Sequence, residues 1–259
     1  MNQISLPTIL VSALVAAIVS VGASLLVLKS APAEKDQEAA NAYVKQALLN
    51  DPFMLDDVFA ALQNGREQQQ AEQTQAALIE SQPDLYRDAR DAVLGNDAAK
   101  FTIVEFFDYN CGYCKIAAEW TKTQLEQHPE HIKIIFKDFP VLEGRAKGSR
   151  ESSLAAMAVW KQGPEVFHNF HFAMMDAKGG FDSQRINEIA TNSGVDIKKM
   201  RDDMSSGKTD FEAHLNDTMR LASVLSIDGT PAFIADGTLV HGANIDLLQQ
   251  LLNASLVDS

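Results

Sequence analysis

Apolar and polar positions follow three rhythms along this chain. Leu6 to Leu28 is an uncharged run of 23 residues, long enough to cross a bilayer core of about 30 Å at about 1.5 Å per residue. The run predicts export to a membrane. Its length exceeds the usual signal h-region of about 7 to 15 residues and favours a retained anchor, while Val21-Gly22-Ala23 and Ala31-Pro32-Ala33 offer small residues for signal cleavage.

From Glu34 to Asn96 the pattern predicts helices without a strand. Ala40, Tyr43, Val44, Ala47 and Leu48 recur at helical spacing, and Asn50-Asp51-Pro52 ends them with a cap residue before a proline suited to the first helical position. Met54, Leu55, Val58, Phe59 and Leu62 form the next stripe, followed by the polar stretch from Gly65 to Gln75. A helix with nothing to bury is a solvated connector or no stable helix. A third short helix is expected after Pro83, carrying Leu85, Tyr86, Ala89, Val93 and Leu94. Stripes this short cannot make a core alone, so the segment either packs onto the main domain or, the favoured reading, packs against copies of itself as a dimer or trimer.

The remainder switches to a β-α-β rhythm. Phe101 to Phe107 is a near-continuous apolar run of the central-strand kind. Ile116, Ala117, Trp120 and Leu125 mark a helix, and Ile132 to Lys137 a second strand. Residues 149–226 are helical throughout and read as an insertion. Gly229 to His241 reads as a hairpin turning at Asp236-Gly237, and Asn244 can cap a last helix. The expected organisation is an anchor or signal (1–33), a helical oligomerisation segment (34–96), and an α/β domain (97–259) whose helical insertion spans about 149–226.

Composition narrows the partners. A formal charge of −13 argues against nucleic acid, because phosphate binding needs clustered Lys and Arg. Hydrophobic residues make up 46%, enough for a core that needs no disulfide staple.

Cys111 and Cys114, the only cysteines, stand as C-x-x-C between the first strand and its helix. At a helix start, unpaired N–H groups and the positive dipole end favour a thiolate. Cys114, one turn on, can resolve a mixed disulfide formed at Cys111. A zinc half-site would need a second pair; His168 and His171 are distant and spaced as on any amphipathic helix. Copper handling by the two thiolates is a further alternative, though Met174 and Met175 form no ligand pattern with them. Glu105, a carboxylate in an apolar strand, is costly unless it has a partner or a task; Lys137 is a candidate partner, or else an edge residue reaching water.

Glu105-Phe106-Phe107, Cys111-Gly112-Tyr113-Cys114 and Gly229-Thr230-Pro231, in this order of elements, resemble the DsbA-like thioredoxin fold. The resemblance implies a thioredoxin fold with a helical insertion, a cis proline at Pro231 in a loop facing the dithiol, and substrate binding by Thr230, Pro231 and Tyr113. It implies a proton relay at Glu105, no cofactor beyond a redox-active Cys111–Cys114 disulfide, and no metal. The helical segment after Asp51 and Pro52 resembles ScsC-like oligomeric isomerases. Gly112-Tyr113 and Thr230 also resemble disulfide isomerases of the DsbC kind. The implied activity is thiol–disulfide exchange on cysteine-containing proteins in the periplasm, supported by a membrane redox partner. The favoured expectation is a disulfide isomerase tethered by its N-terminal helix, with a DsbA-like oxidase and a soluble form after cleavage as the alternatives.

Overall fold

The computed structural model describes residues 34–51 and 53–257. The expected anchor or signal over 1–33, and Pro52, lie outside the described residues. Among the described residues, no helix is long and apolar enough to cross a membrane.

Two helices open the described chain, α1 (Glu34–Asn50) and α2 (Phe53–Glu80). Asp51 makes the break: its carboxylate accepts from the Phe53 N–H at 3.2 Å, satisfying one of the donors a helix start leaves open. The polar stretch from Gly65 to Gln75 is helical and belongs to α2. The chain divides into two compact units, Gln70 closing the first and Ala71 opening the second.

This division corrects the expected boundary. Residues 71–96, read from the sequence as part of an all-helical N-terminal segment, belong to the second unit. After the short helix α3 (Gln82–Tyr86) comes a strand, β1 (Ala92–Gly95), where a helix was expected. The apolar residues Val93 and Leu94 pair with a strand some forty residues on. Gly95 ends β1 at φ +93°, and a Cβ there would sit 2.2 Å from the Ile132 carbonyl oxygen, so only glycine fits.

The sheet is completed by β2 (Phe101–Phe107), β3 (Ile132–Asp138), β4 (Ala232–Ala235) and β5 (Thr238–His241), in the order β1-β3-β2-β4-β5. β2 and β3 are parallel, joined through α4 (Gly112–Gln127), and all other pairings are antiparallel. Five helices separate β3 from β4: α5 (Ser149–Trp160), α6 (Pro164–Asp176), α7 (Ser183–Asn192), α8 (Ile197–Ser206) and α9 (Lys208–Val224). The β4–β5 hairpin turns on Asp236 and Gly237, both at positive φ, as a two-residue turn of this kind requires. α10 (Ile245–Val257) starts where the Asn244 carboxamide accepts from the Leu247 N–H at 3.2 Å.

β2 lies in the middle of the sheet and is covered on both faces, which is why its sequence reads as one apolar run. Alternate residues go to opposite sides. Phe101, Ile103 and Phe107 join the larger core with Ala117, Phe167, Phe170 and Leu248. Val104 and Phe106 join a second core with Leu78, Leu85, Leu221 and Leu225.

Candidate active site

The turn from β2 into α4 is fixed by Asp108. Its carboxylate accepts from the Asn110 N–H (2.8 Å), the Ser149 hydroxyl (2.9 Å) and the Leu142 N–H (2.9 Å), and its carbonyl accepts from the Cys111 N–H (2.9 Å). Tyr109, wholly buried, bonds through its hydroxyl to His171 Nδ1 at 3.0 Å. His171 lies among Phe107, Phe136 and Phe167. Burial, and to a smaller extent His168, pushes the His171 pKa down to about 3, so the ring is neutral. The strand therefore hands over to the helix through a turn whose polar groups are almost all bonded.

Cys111 occupies the N-cap of α4, one residue ahead of the first helical turn, and Cys114 lies inside that turn. Both thiols are free. Cys111 is 8% exposed and Cys114 0%, so only the first can be reached from outside. Cys111 Sγ stands 3.1 Å from the Thr230 carbonyl oxygen. The Cys114 side chain first, then the Thr230 side chain and the N–H groups of Cys114 and Tyr113, bring the Cys111 pKa down to about 6 against the opposing effect of burial. Burial, chiefly, pushes Cys114 well up, with Cys111 and Glu105 adding to it. The pair is thus split into an acidic, accessible thiol and a shielded one, the division of labour that thiol exchange needs.

The Thr230–Pro231 peptide is cis. It precedes β4, which pairs with β2, and this pairing brings the loop to the end of β2 despite 119 residues of separation between Thr230 and Cys111. Tyr113 is 67% exposed beside the dithiol. Glu105 is fully buried, and both its carboxylate oxygens lack a hydrogen-bond partner. Alternating with Val104 and Phe106, it faces the dithiol side of the sheet, and burial raises its pKa to about 8.

Lys137 does not meet Glu105, and it is not an edge residue. It is 2% exposed on a strand flanked by β1 and β2, and its ammonium binds the Asp91 carboxylate and the Asp84 carbonyl on the far side of the sheet. Asp91 in turn faces His214 Nε2 at 3.1 Å, and Asp88 faces His214 Nδ1 at 3.5 Å. Among the described residues, Asp88, Asp91 and His214 are the one group close enough to share a metal ion, and it excludes both cysteines. Lys137 and Arg90 already neutralise its two carboxylates.

Sequence reasoning missed Asp108, Tyr109, His171 and Asp138. Asp138 shares the dithiol face with Phe136, is buried, and is pushed well above the ordinary carboxylate range by that burial. A run of the kind Phe-Phe-Asp-Tyr before the dithiol was the available signal for the first two. The ring environment of His171 has none in the sequence.

A dithiol with one acidified thiol at a helix N-terminus, opposite a Thr-Pro loop on a mixed sheet, is the site of a thioredoxin-fold thiol–disulfide oxidoreductase. Residues 102–253 match the DSBA-like thioredoxin domain, and the chain belongs to that family. Disulfide bond formation protein D of Bacillus subtilis (strain 168) is 25% identical over 170 residues, which is 63% of this chain and 76% of that protein. Among solved structures, Proteus mirabilis ScsC in a transitional conformation is 28% identical, with 88% of this chain and 100% of that one covered at a TM-score of 0.62. The thiol-disulfide exchange protein α-DsbA2 of Wolbachia pipientis is 27% identical, with 70% and 95% covered at a TM-score of 0.64.

Proposed function

We propose that this chain is a thiol–disulfide oxidoreductase of the cell envelope that works mainly as a protein disulfide isomerase. The observation carrying this reading is the acidic Cys111 thiol, 3.1 Å from the Thr230 carbonyl and backed by a fully buried Cys114. The Cys111 thiolate attacks a wrongly paired disulfide of a substrate protein; one substrate sulfur joins Cys111 and the other leaves as thiolate. The freed substrate thiolate then attacks another disulfide, or Cys114 displaces the substrate and closes the Cys111–Cys114 disulfide. Glu105, neutral at low pH and ionised above about 8, takes the Cys114 proton as that thiol becomes the attacker. Thr230 and Pro231 hold an extended substrate segment by its backbone, and Tyr113 offers an exposed ring beside it. No cofactor is required beyond the dithiol.

The isomerase emphasis rests on the N-terminal helices. Tyr43, Leu49 and Phe53, 77%, 72% and 77% exposed, stand with Val58, Phe59 and Leu62 as an uncovered apolar surface of α1 and α2. Surfaces of this kind mark association, and the likeness to ScsC, which extends over 88% of this chain, supports a dimer or trimer. Several dithiols around one shared space favour reshuffling over a single oxidation. The cycle works only if a membrane partner keeps the pair reduced. Residues 1–33 are read as the device that delivers the domain to the periplasmic side of the inner membrane, tethered or after cleavage.

An oxidase reading draws on one observation: a stabilised Cys111 thiolate makes the disulfide form oxidising. Trapping the thiols of living cells with a fast alkylating agent separates the two. A mostly reduced Cys111/Cys114 pair supports the isomerase; a mostly oxidised pair overturns it in favour of the oxidase.

A further inference from the structure

One side chain ties the dithiol helix to the helical insertion. Lys115 follows Cys114 directly, and its ammonium lies 2.7 Å from the carbonyl oxygen of Ala177, 3.2 Å from that of Met175 and 3.3 Å from that of Met174. All three of its N–H donors are thus spent on the last turn of α6, and the Phe181 ring stands 5.2 Å from the nitrogen. These carbonyls belong to the set that a helix end leaves without internal partners, where the negative end of the dipole also lies. A cation for that position usually comes from the helix's own last turn. α6 has no basic residue there, and α4 supplies it from outside.

We propose that Lys115 is a positioning residue for the dithiol: seated in the carbonyl end of α6, it holds the insertion against the first turn of α4 and keeps a fixed positive charge behind Cys111 and Cys114. The proposal rests on the dithiol reading of the two cysteines. Burial pushes the Lys115 ammonium down from its ordinary value; Cys114 and Cys111, Asp176 at the end of α6 and Asp108 in the turn push it back up. The remaining titratable neighbour of the pair is Glu105, which acts on Cys114 from β2 once it ionises above about pH 8. With Lys115 neutralised, the Asp108 carboxylate in the turn and the carbonyl end of α6 lose the cation that offsets them beside the thiols. The thiolate, and with it the reduced form, loses stability, and the disulfide becomes harder to reduce.

The test uses the full chain with Lys115→Met, Lys115→Gln and Lys115→Arg. Thiolate absorbance of the reduced protein is followed against pH, and the dithiol is equilibrated with glutathione. Lys115→Met and Lys115→Gln are expected to move the Cys111 midpoint upward, leaving about threefold less thiolate at the unmodified protein's midpoint, and to make the disulfide harder to reduce. Lys115→Arg is expected to restore most of both. If Lys115→Met does not fold, Lys115→Gln, which keeps an amide donor for the carbonyls but no charge, carries the measurement. A lowered melting temperature with an unmoved midpoint assigns Lys115 to packing alone and overturns the proposal. Failure of the underlying reading is visible in the unmodified protein, as a Cys111 midpoint at the ordinary thiol value and no Cys111–Cys114 disulfide, and it would remove both.

Discussion

Glu105 and Lys137 lie on adjacent parallel strands one residue out of step, Glu105 opposite Phe136 and Lys137 opposite Phe106, so their side chains leave the sheet on opposite faces. An acid and a base that the sequence could pair are separated by the thickness of the backbone. Glu105 is left without a partner on the dithiol side, and Lys137 is committed to Asp91 on the other.

The isolation of Glu105 has a pH signature. Its folded pKa of about 8 stands above the ordinary 4.5, so its contribution to stability is complete below about pH 4.5 and is lost as pH rises through 8. The difference corresponds to roughly 5 kcal/mol at the alkaline limit. Glu105→Gln should abolish this loss, giving a higher urea midpoint than the unmodified protein at pH 8 and little change at pH 5. An identical alkaline slope in both proteins would refute the assignment. Release of mixed disulfides by Cys114 should slow in the same variant.

His171 acts from the acid side. With a folded pKa of about 3 against an ordinary 6.5, it supplies stability that is present above pH 6.5 and lost as pH falls through 3. Tyr109→Phe removes the partner of its Nδ1 while the Nε2 already lacks one. A cost of about 1 to 3 kcal/mol follows, read as a lowered urea midpoint at pH 7; a neutral substitution would mean that the bond does not form.

Cys114 is the largest single cause of the low Cys111 pKa. Cys114→Ala should therefore have two effects: substrates accumulate on Cys111 as mixed disulfides, and the Cys111 titration moves up from about 6. A trap variant whose thiolate midpoint stays at the unmodified value would show that the helix start and Thr230 acidify Cys111 without the Cys114 thiol.

Lys137→Met leaves the Asp91 carboxylate buried without its main counter-charge. Stranding one member of a buried pair costs about 3 to 5 kcal/mol, measurable by denaturant unfolding. Adding Asp91→Asn should recover a large part, and absence of any recovery would locate the loss in packing instead.

The position of the domain boundary is testable by truncation. A protein beginning at Ala71 keeps Leu78, Leu85 and β1 and should unfold cooperatively. One beginning at Asp97 loses all three, uncovering the face formed by Val104, Phe106 and Ile135, and should be strongly destabilised or insoluble. Equal stability of the two would restore the boundary near residue 97.

What the sequence made legible was local. The apolar run of β2, the C-x-x-C helix, β3 and the Asp236-Gly237 hairpin each carry their own pattern, and Glu105 declares itself as a charge within an apolar strand. β1 did not, because Leu85, Tyr86, Ala89, Val93 and Leu94 happen to fall at helical spacing and the strand's partner lies far along the chain. Lys137 was misread for the same reason: which face of a strand receives a side chain depends on register, and the acid that neutralises it, Asp91, comes from another segment. The contact of Thr230 with Cys111 was reached through family resemblance, since nothing local to either residue encodes it. The capping of α6 by Lys115 was not legible at all, as both ends of that contact look ordinary in isolation.

The separation of 119 positions between Cys111 and Thr230 also sets an order of events during folding. Closing a loop of that length costs about 4 kcal/mol of chain entropy, repaid only when β4 docks beside β2. Until then Cys111 has its helix and Cys114 but not the Thr230 side chain that helps acidify it. Full acidity of this thiol is accordingly a property of the completed sheet, and its rate of alkylation at mildly acidic pH can serve as a clock for the last long-range closure of the chain.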